Sequence, residues 1–201
     1  MSGLPAVFLD RDGVLNELVR DPVSGELESP LRVADVRLLA GAPAAVSRLE
    51  RAGFALACVS NQPAAAKGVA TVEELLAVHG RVLDLLAAAG VALGASRLCL
   101  HHPRGVVSGL SGQCACRKPA PGMLLDAAAA LGAEVEASWM VGDTDADVGA
   151  GRAAGCRTVL IEHAASKHKR SSGIQPDLRS ADLAGGVDLI LRAQLETISR
   201  M

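Results

Sequence analysis

Short apolar runs, each followed by a segment of helical periodicity, restrict this chain more than any other feature. Val7-Phe8-Leu9 and Phe54 to Val59 are uninterrupted apolar stretches too short for helices, and they read as buried strands. Ser96 to Leu100, Ser138 to Val141 and Arg157 to Ile161 give further strands. Helices with recognisable ends lie between them. One opens at Gly41-Ala42-Pro43, with proline in its first turn, and runs to about Ala52 before Gly53. Another starts at the Thr71–Glu74 capping-box pair and places Leu75, Leu76, Val82, Leu83 and Leu86 on one face. His79 falls on the same stripe and reads as a packed or rim histidine. A third helix runs from Pro121 to about Leu131-Gly132, a fourth from Asp145 to Ala154 before Gly155, and a last from Val187 to about Ser199. This alternation predicts right-handed βαβ units, that is, an α/β fold with a parallel sheet and helices on both faces. The expected organisation is a single domain over residues 1–201. A small flap or hairpin is expected within Glu26 to Leu39, after the turn chemistry of Asp21-Pro22-Val23-Ser24-Gly25.

The first apolar run ends in Asp10-Arg11-Asp12-Gly13, two carboxylates followed at once by a glycine. Open parallel sheets bind ligands at the carboxyl ends of their strands. Two carboxylates there call for a cation or a chemical task, and a nucleophile beside a general acid/base sharing a divalent metal fits both. Gly142-Asp143-Thr144-Asp145-Ala146-Asp147 is a second acidic cluster after a strand, so Asp143 can join Asp10 around one Mg²⁺. Asp145 suits the N-terminus of the following helix. Asp147 fits either that helix end or the site. Phe54 to Val59 ends in Ser60-Asn61-Gln62, a hydroxyl and two amides that suit a phosphoryl group and equally an ordinary turn. Asp10, Ser60 and Asp143 each follow a strand and can therefore converge on one edge of the sheet.

Cys99-Leu100-His101 and Cys114-Ala115-Cys116 form two close pairs separated by twelve residues. Three thiols and an imidazole suit tetrahedral zinc with no open position, hence a structural ion pinning a loop at about 99–118. His102 is adjacent and spacing alone does not exclude it. Cys58 and Cys156 read as buried thiols. Lys167, His168, Lys169 and Arg170 read as a solvated basic loop. With a net charge of −2 and only three aromatic residues (two Phe, one Trp), the chain does not look like a nucleic-acid binder. No run of about 18 apolar residues occurs, so no membrane span is expected. Five cysteines without an export signal suggest a cytoplasmic setting.

The string Asp10-Arg11-Asp12-Gly13-Val14-Leu15-Asn16 resembles the first motif of the haloacid dehalogenase (HAD) phosphohydrolases. Cys-x-His followed by Cys-x-Cys-Arg-Lys-Pro-x-Pro-Gly-Met resembles their zinc-bearing branch of heptose bisphosphate and histidinol phosphate phosphatases, the long loop pointing to the heptose enzymes. The resemblance covers about Ala6 to Ile161. It implies a HAD-like Rossmannoid sheet and Asp10 as the nucleophile forming an aspartyl phosphate. Asp12 is implied as general acid/base, with Ser60 and Lys118 stabilising the phosphoryl group. Substrate contacts are implied at Asn61, Gln62, Arg117 and Thr144. Mg²⁺ is expected at Asp10, Asp143 and the backbone carbonyl of Asp12, and zinc at Cys99, His101, Cys114 and Cys116. The implied substrate is a small phosphorylated sugar, a heptose 1,7-bisphosphate cleaved at its 7-phosphate. Histidinol phosphate or another small phosphate monoester is the alternative, a non-catalytic phosphosugar-binding protein a more distant one, and a monomer is expected. Leu18 to Asp21, Ala64 to Gly68 and Thr144 depart from the family pattern, all in stretches tied to substrate recognition.

Overall fold

The computed structural model describes residues 3–21 and 25–199. Pro22, Val23 and Ser24 of the expected turn lie outside the described residues. Six strands form one parallel sheet. They are β1 (Leu4–Leu9), β4 (Ala55–Asn61), β5 (Ala95–Cys99), β6 (Ala133–Gly142), β7 (Arg157–Ile161) and β8 (Leu178–Ser180). Their spatial order is β5-β4-β1-β6-β7-β8. The expected flap is a two-stranded antiparallel ribbon, β2 (Val19–Arg20) with β3 (Leu27–Glu28).

Among the described residues five helices cover the sheet: α1 (Ala42–Arg51), α2 (Val72–Ala88), α3 (Gly122–Leu131), α4 (Asp145–Ala154) and α5 (Leu183–Ile198). Successive residues of a strand point to opposite faces, so β1 feeds two cores. Val7 and Leu9 pack into a cluster with Val46 and Leu49 of α1, Val78, Val82 and Leu86 of α2, and Val187 and Ile190 of α5. Ala6 and Phe8 pack into another with Met123, Leu124 and Ala127 of α3 and Ala150 of α4. With so few aromatic residues, the second core depends on close approach. A Cβ added to Gly151 of α4 would lie 2.6 Å from Thr158 and 2.8 Å from Met140.

The chain runs from β1 outward to β4 and β5, then returns to the other side of β1 as β6. That reversal opens a crevice beyond the carboxyl ends of β1 and β6, where such sheets place ligands. Asp10 and Asp143 flank it, and the Asp10 N–H donates to the Val141 carbonyl at 2.9 Å.

Several expectations need correction. Leu76 is 51% exposed, and the inward stripe of α2 is Leu75, Val78, His79, Val82 and Leu86. Strand β6 begins at Ala133, not Ser138, and its register against β1 shifts between Pro5 and Val7. There the Ser138 hydroxyl accepts from the Ala6 N–H at 2.8 Å, so a side chain replaces an interrupted ladder bond. Strand β8 has three partly exposed residues at the sheet edge and no apolar run to announce it. The basic stretch after β7 forms a 3₁₀ segment, Ala164–Lys169; Lys167 and His168 are exposed as expected, while Ser166 is buried against Asp143 and Arg170 bonds to the Asp143 carbonyl. The capping box at Thr71 and Glu74 forms as read. Among the described residues no helix is long and apolar enough to cross a membrane.

Candidate functional site

Lys118 is the centre of the site. Its side chain is only 2% exposed and its ammonium group contacts three oxygens: Asp147 Oδ1 at 2.6 Å, the Val59 carbonyl at 2.7 Å and Asp10 Oδ1 at 2.9 Å. Burial would lower its pKa, but the charges of Asp10 and Asp147 outweigh that and hold it above its usual value. Its backbone is fixed as well. Asn61, at the end of β4, accepts from the Lys118 N–H and donates to the Lys118 carbonyl, both at 3.0 Å. Both ends of the Asn61 amide are thereby committed to placing Lys118.

Three carboxylates share this pocket. One ligand atom each from Asp10, Asp143 and Asp147 lies within 4.8 Å of the others, and all three residues are buried. Burial first, then neighbouring acids set against Lys118, push Asp10 up to about 6. Burial first, then Asp10 and Asp147, push Asp143 up to about 8. With all three acids ionised, one lysine leaves two negative charges unbalanced, which one divalent cation would cancel. Asp143 Oδ1 is buried without a hydrogen-bond partner, an available metal-binding atom. Asp147 is more committed: besides Lys118, its Oδ2 accepts from the Thr144 N–H at 3.0 Å and hydroxyl at 2.6 Å, which caps α4. Asp145 accepts from the Ser172 N–H at 2.6 Å.

Two glycines let these groups meet. Gly13 has φ +82°, and a Cβ there would lie 2.1 Å from Asp143 Oδ2. A Cβ on Gly142 would lie 2.1 Å from Asp147 Cβ. Neither position accepts a larger residue without moving a carboxylate.

Asp12 occupies a different environment. Arg11, fully buried, grips it through Nε and through Nη2 at 2.9 Å. Asn16 Nδ2 donates to it at 3.1 Å and Gln62 Nε2 at 2.7 Å. Burial alone would raise its pKa, but Arg11 and the hydrogen bonds from Gln62 and Ser29 hold it below the usual carboxylate range. Gln62 also donates to Ser60 Oγ at 2.9 Å and so couples the two groups. Ser29 belongs to the segment after β3, so the flap reaches the site. A cleft of about 980 Å³ opens between the flap and residues 62–74, lined by Arg20, Glu28, Arg32, Gln62 and Lys67.

The cysteine cluster assembles at the end of β5. Cys116 Sγ lies 3.2 Å from Cys114 Sγ and 3.3 Å from Cys99 Sγ. His101 Nδ1 is 3.5 Å from Cys116 Sγ and 3.9 Å from Cys99 Sγ. These four atoms could hold one tetrahedral metal ion. His102 is directed elsewhere, its Nδ1 accepting from the Arg104 N–H at 3.1 Å. Arg117 Nη1 donates to the His101 carbonyl at 3.1 Å, tying the cluster to the residue before Lys118. His79 stays clear of both sites: it contacts Ser96, and burial, then the Arg11 charge, depresses its pKa to about 4.

Known proteins resemble this chain along most of its length. A D-glycero-D-manno-heptose-1,7-bisphosphate 7-phosphatase from Thermosynechococcus vestitus is 38% identical over 194 residues, 92% of this chain and 95% of that protein. The chain belongs to the HAD-like phosphatase family. The HAD-hydrolase-like family model matches residues 115–185. The Yersinia pestis D-glycero-β-D-manno-heptose-1,7-bisphosphate 7-phosphatase is 39% identical over 158 residues, 79% of this chain and 80% of that protein. The crystal structure of a D,D-heptose 1,7-bisphosphate phosphatase from B. bronchiseptica, complexed with magnesium and phosphate, is similar with a TM-score of 0.76 and 28% identity. It covers 94% of this chain and 99% of that one.

Within this HAD scaffold the residues singled out from sequence lie close together, but their contacts divide them. Asp10, Lys118, Asp143 and Asp147 form one charged cluster; Asp12, Ser60 and Gln62 form a hydrogen-bonded set beside it. Asn61, Gln62 and Thr144, expected at the substrate, have amide or hydroxyl groups bonded to Lys118, Asp12 and Asp147 respectively. Arg11, Asn16, Ser166 and Arg170 escaped the sequence reading. Arg11 and Asn16 stood inside the first motif; Ser166 and Arg170 carried no signal beyond a basic stretch.

Proposed function

We propose that this chain is a Mg²⁺-dependent phosphomonoesterase with a structural zinc ion, and that its substrate is a heptose 1,7-bisphosphate cleaved at the 7-phosphate. The observation that carries the reaction type is the placement of Lys118 between Asp10 and Asp147 at the switch point of the sheet. A pure binding site has no need of a buried carboxylate at the position of a nucleophile. The relatives named above support the heptose substrate.

In this reading the Asp10 carboxylate attacks phosphorus in line, and the bond to the ester oxygen breaks as an aspartyl phosphate forms. Asp12 gives a proton to the departing oxygen. It then takes one from the water that cleaves the aspartyl phosphate, which returns Asp10 and releases phosphate. Asp12 is held ionised at rest, so it first takes the proton of a monoanionic phosphate ester and passes it to the departing oxygen, and the proton it later takes from water leaves on the released phosphate. Ser60 donates to a phosphoryl oxygen, and Lys118 offsets charge that would repel a carboxylate nucleophile. Mg²⁺, held by Asp10, Asp143 and the backbone carbonyl of Asp12, would supply further positive charge. Asn61, Gln62 and Thr144 act by placing Lys118, Asp12 and Asp147. Arg117 and the cleft beside the flap take the sugar.

The test is phosphate release, with Mg²⁺, from both anomers of heptose 1,7-bisphosphate, histidinol phosphate and common sugar phosphates. A dominant kcat/KM for a heptose bisphosphate is expected. Preference for histidinol phosphate keeps the mechanism and overturns the substrate. Release from none of them overturns the enzymatic reading in favour of phosphosugar binding.

Zinc is proposed at Cys99, His101, Cys114 and Cys116, with the chain in a reducing, cytoplasmic setting; none of its five cysteines forms a disulfide. Purified protein should carry about one zinc per chain. Cys116→Ser should lower the zinc content and the melting temperature together. It should also lower turnover, because Lys118 lies two residues beyond Cys116. Zinc-free protein with an unchanged melting temperature would overturn the assignment.

A further inference from the structure

The segment after β7 carries a hydroxyl into the acidic cluster. Ser166 is fully buried within the 3₁₀ segment Ala164–Lys169, and its Oγ donates to Asp143 Oδ2. The segment is anchored on several sides. Arg170 Nη1 donates to the carbonyls of Asp143 at 3.1 Å and His163 at 3.0 Å. The Ser166 N–H donates to the His163 carbonyl at 3.1 Å. Lys169 Nζ lies 2.9 Å from Glu28 Oε2 of the flap. A loop with four basic residues near its end thus docks through the Arg170 guanidinium, the Lys169 ammonium and its one buried hydroxyl, while Lys167 and His168 remain exposed.

We propose that Ser166 is a positioning residue for Asp143 as a metal ligand: its hydroxyl holds Oδ2 and leaves the unpartnered Oδ1 for the cation. The inference rests on the proposed reading of Asp143 as a ligand of Mg²⁺. A carboxylate free to rotate must be ordered when the ion binds, whereas one already hydrogen-bonded is oriented beforehand. Partners of this kind typically change metal affinity by about 10–100-fold when removed. Asp143 Oδ1 has no hydrogen-bond partner, and the opposite wall is Gly13, so close to Oδ2 that no side chain fits between. Ser166 and Gly13 therefore both bear on the same oxygen. Nothing else in the 164–170 segment donates a side-chain hydrogen bond to the Asp143 carboxylate among the described residues.

The test is Mn²⁺ binding to the zinc-loaded protein without substrate, followed by the electron paramagnetic resonance signal of free Mn²⁺. Ser166→Ala should weaken Mn²⁺ binding by about tenfold or more. In turnover assays it should raise the Mg²⁺ concentration for half-maximal rate while kcat at saturating Mg²⁺ falls less. Circular dichroism and thermal unfolding establish that the variant is folded. Should Ser166→Ala not fold, Ser166→Cys keeps the volume with a much weaker donor, and weakened Mn²⁺ binding is expected there as well. A folded variant with wild-type Mn²⁺ affinity overturns the proposal. An unchanged Mn²⁺ affinity with a raised KM overturns it too, in favour of a contact between Ser166 and substrate. Wild-type protein that binds no Mn²⁺ overturns the metal reading of Asp143 and this proposal with it; the heptose reading stands or falls on the substrate panel alone.

Discussion

Asp10→Asn should abolish phosphate release, by about 10⁴-fold or more, while leaving the protein at least as stable as the wild type. The two effects have one cause. Asp10 lies buried beside Asp147, Asp143 and Asp12, with Lys118 as the cation in direct contact with it. Its carboxylate is the proposed nucleophile, and an amide in its place cannot form the aspartyl phosphate. The same change removes one negative charge from a pocket that holds too many, and Asn keeps an oxygen for the Arg11 N–H and Lys118 Nζ. Removing a functional group that the fold tolerates at a cost commonly raises stability. Phosphate release and thermal unfolding, the latter without divalent cations, measure the pair of effects. Turnover near the wild-type rate would defeat the nucleophile assignment. A large fall in melting temperature would defeat the account of the charge balance.

Lys118→Met should lower both activity and stability, and so separates the cation from the anions it serves. Methionine has similar length and fits a buried channel, but it carries no charge. Asp10 and Asp147 would lose the cation at 2.9 and 2.6 Å, and the Val59 carbonyl its donor at 2.7 Å. Breaking a buried pair from one side costs about 3–5 kcal/mol because the partner charge stays buried. Turnover should fall by about 10²–10³-fold or more, the range for losing one preorganised donor at developing charge. Denaturant unfolding of Lys118→Met, Asp10→Asn and the double variant closes a cycle. The double variant should recover part of the stability lost in Lys118→Met, since one of the stranded carboxylates is gone. Equal losses in the single and double variants would show that Lys118 stabilises the fold through something other than Asp10.

How far the chain could be read from its residues depends on the range of the interaction involved. Strand β1 and the helix ends at Gly41, Thr71 and Gly155 were legible because local chemistry makes them: an apolar run, a proline in a first turn, a reciprocal cap, a glycine stop. The two groups of side chains that could hold a metal ion were legible because their members come in short spaced groups. Cys99 with His101 and Cys114 with Cys116 needed the fold only to bring two pairs together. Spacing left His102 open where the family resemblance implied His101; the fold puts the His101 ring against the thiols and the His102 ring on the Arg104 N–H.

What tertiary structure alone decided were the contacts between distant segments. Asn61 and Gln62 carry amides at a strand end that suit a ligand, and the family resemblance implied a substrate contact at Thr144. The fold pairs them with Lys118, Asp12 and Asp147, which meets the need of buried charges for hydrogen-bond partners. Asp147, open between a helix end and the site, turned out to serve both. Strand β8 left no local trace because edge pairing needs backbone atoms, not a run of apolar side chains. The basic stretch at 167–170 has the composition of a solvated loop, and composition reports average exposure. It cannot report that one serine among those charges is buried against Asp143, since that depends on where the end of β7 aims the chain. The residues alone determined the type of fold, the position of its crevice and the chemical kinds of group that line it. The packed structure determined which of those groups hold one another and which are left free for a ligand, because hydrogen bonds and charge pairs between segments a hundred residues apart have no local signature.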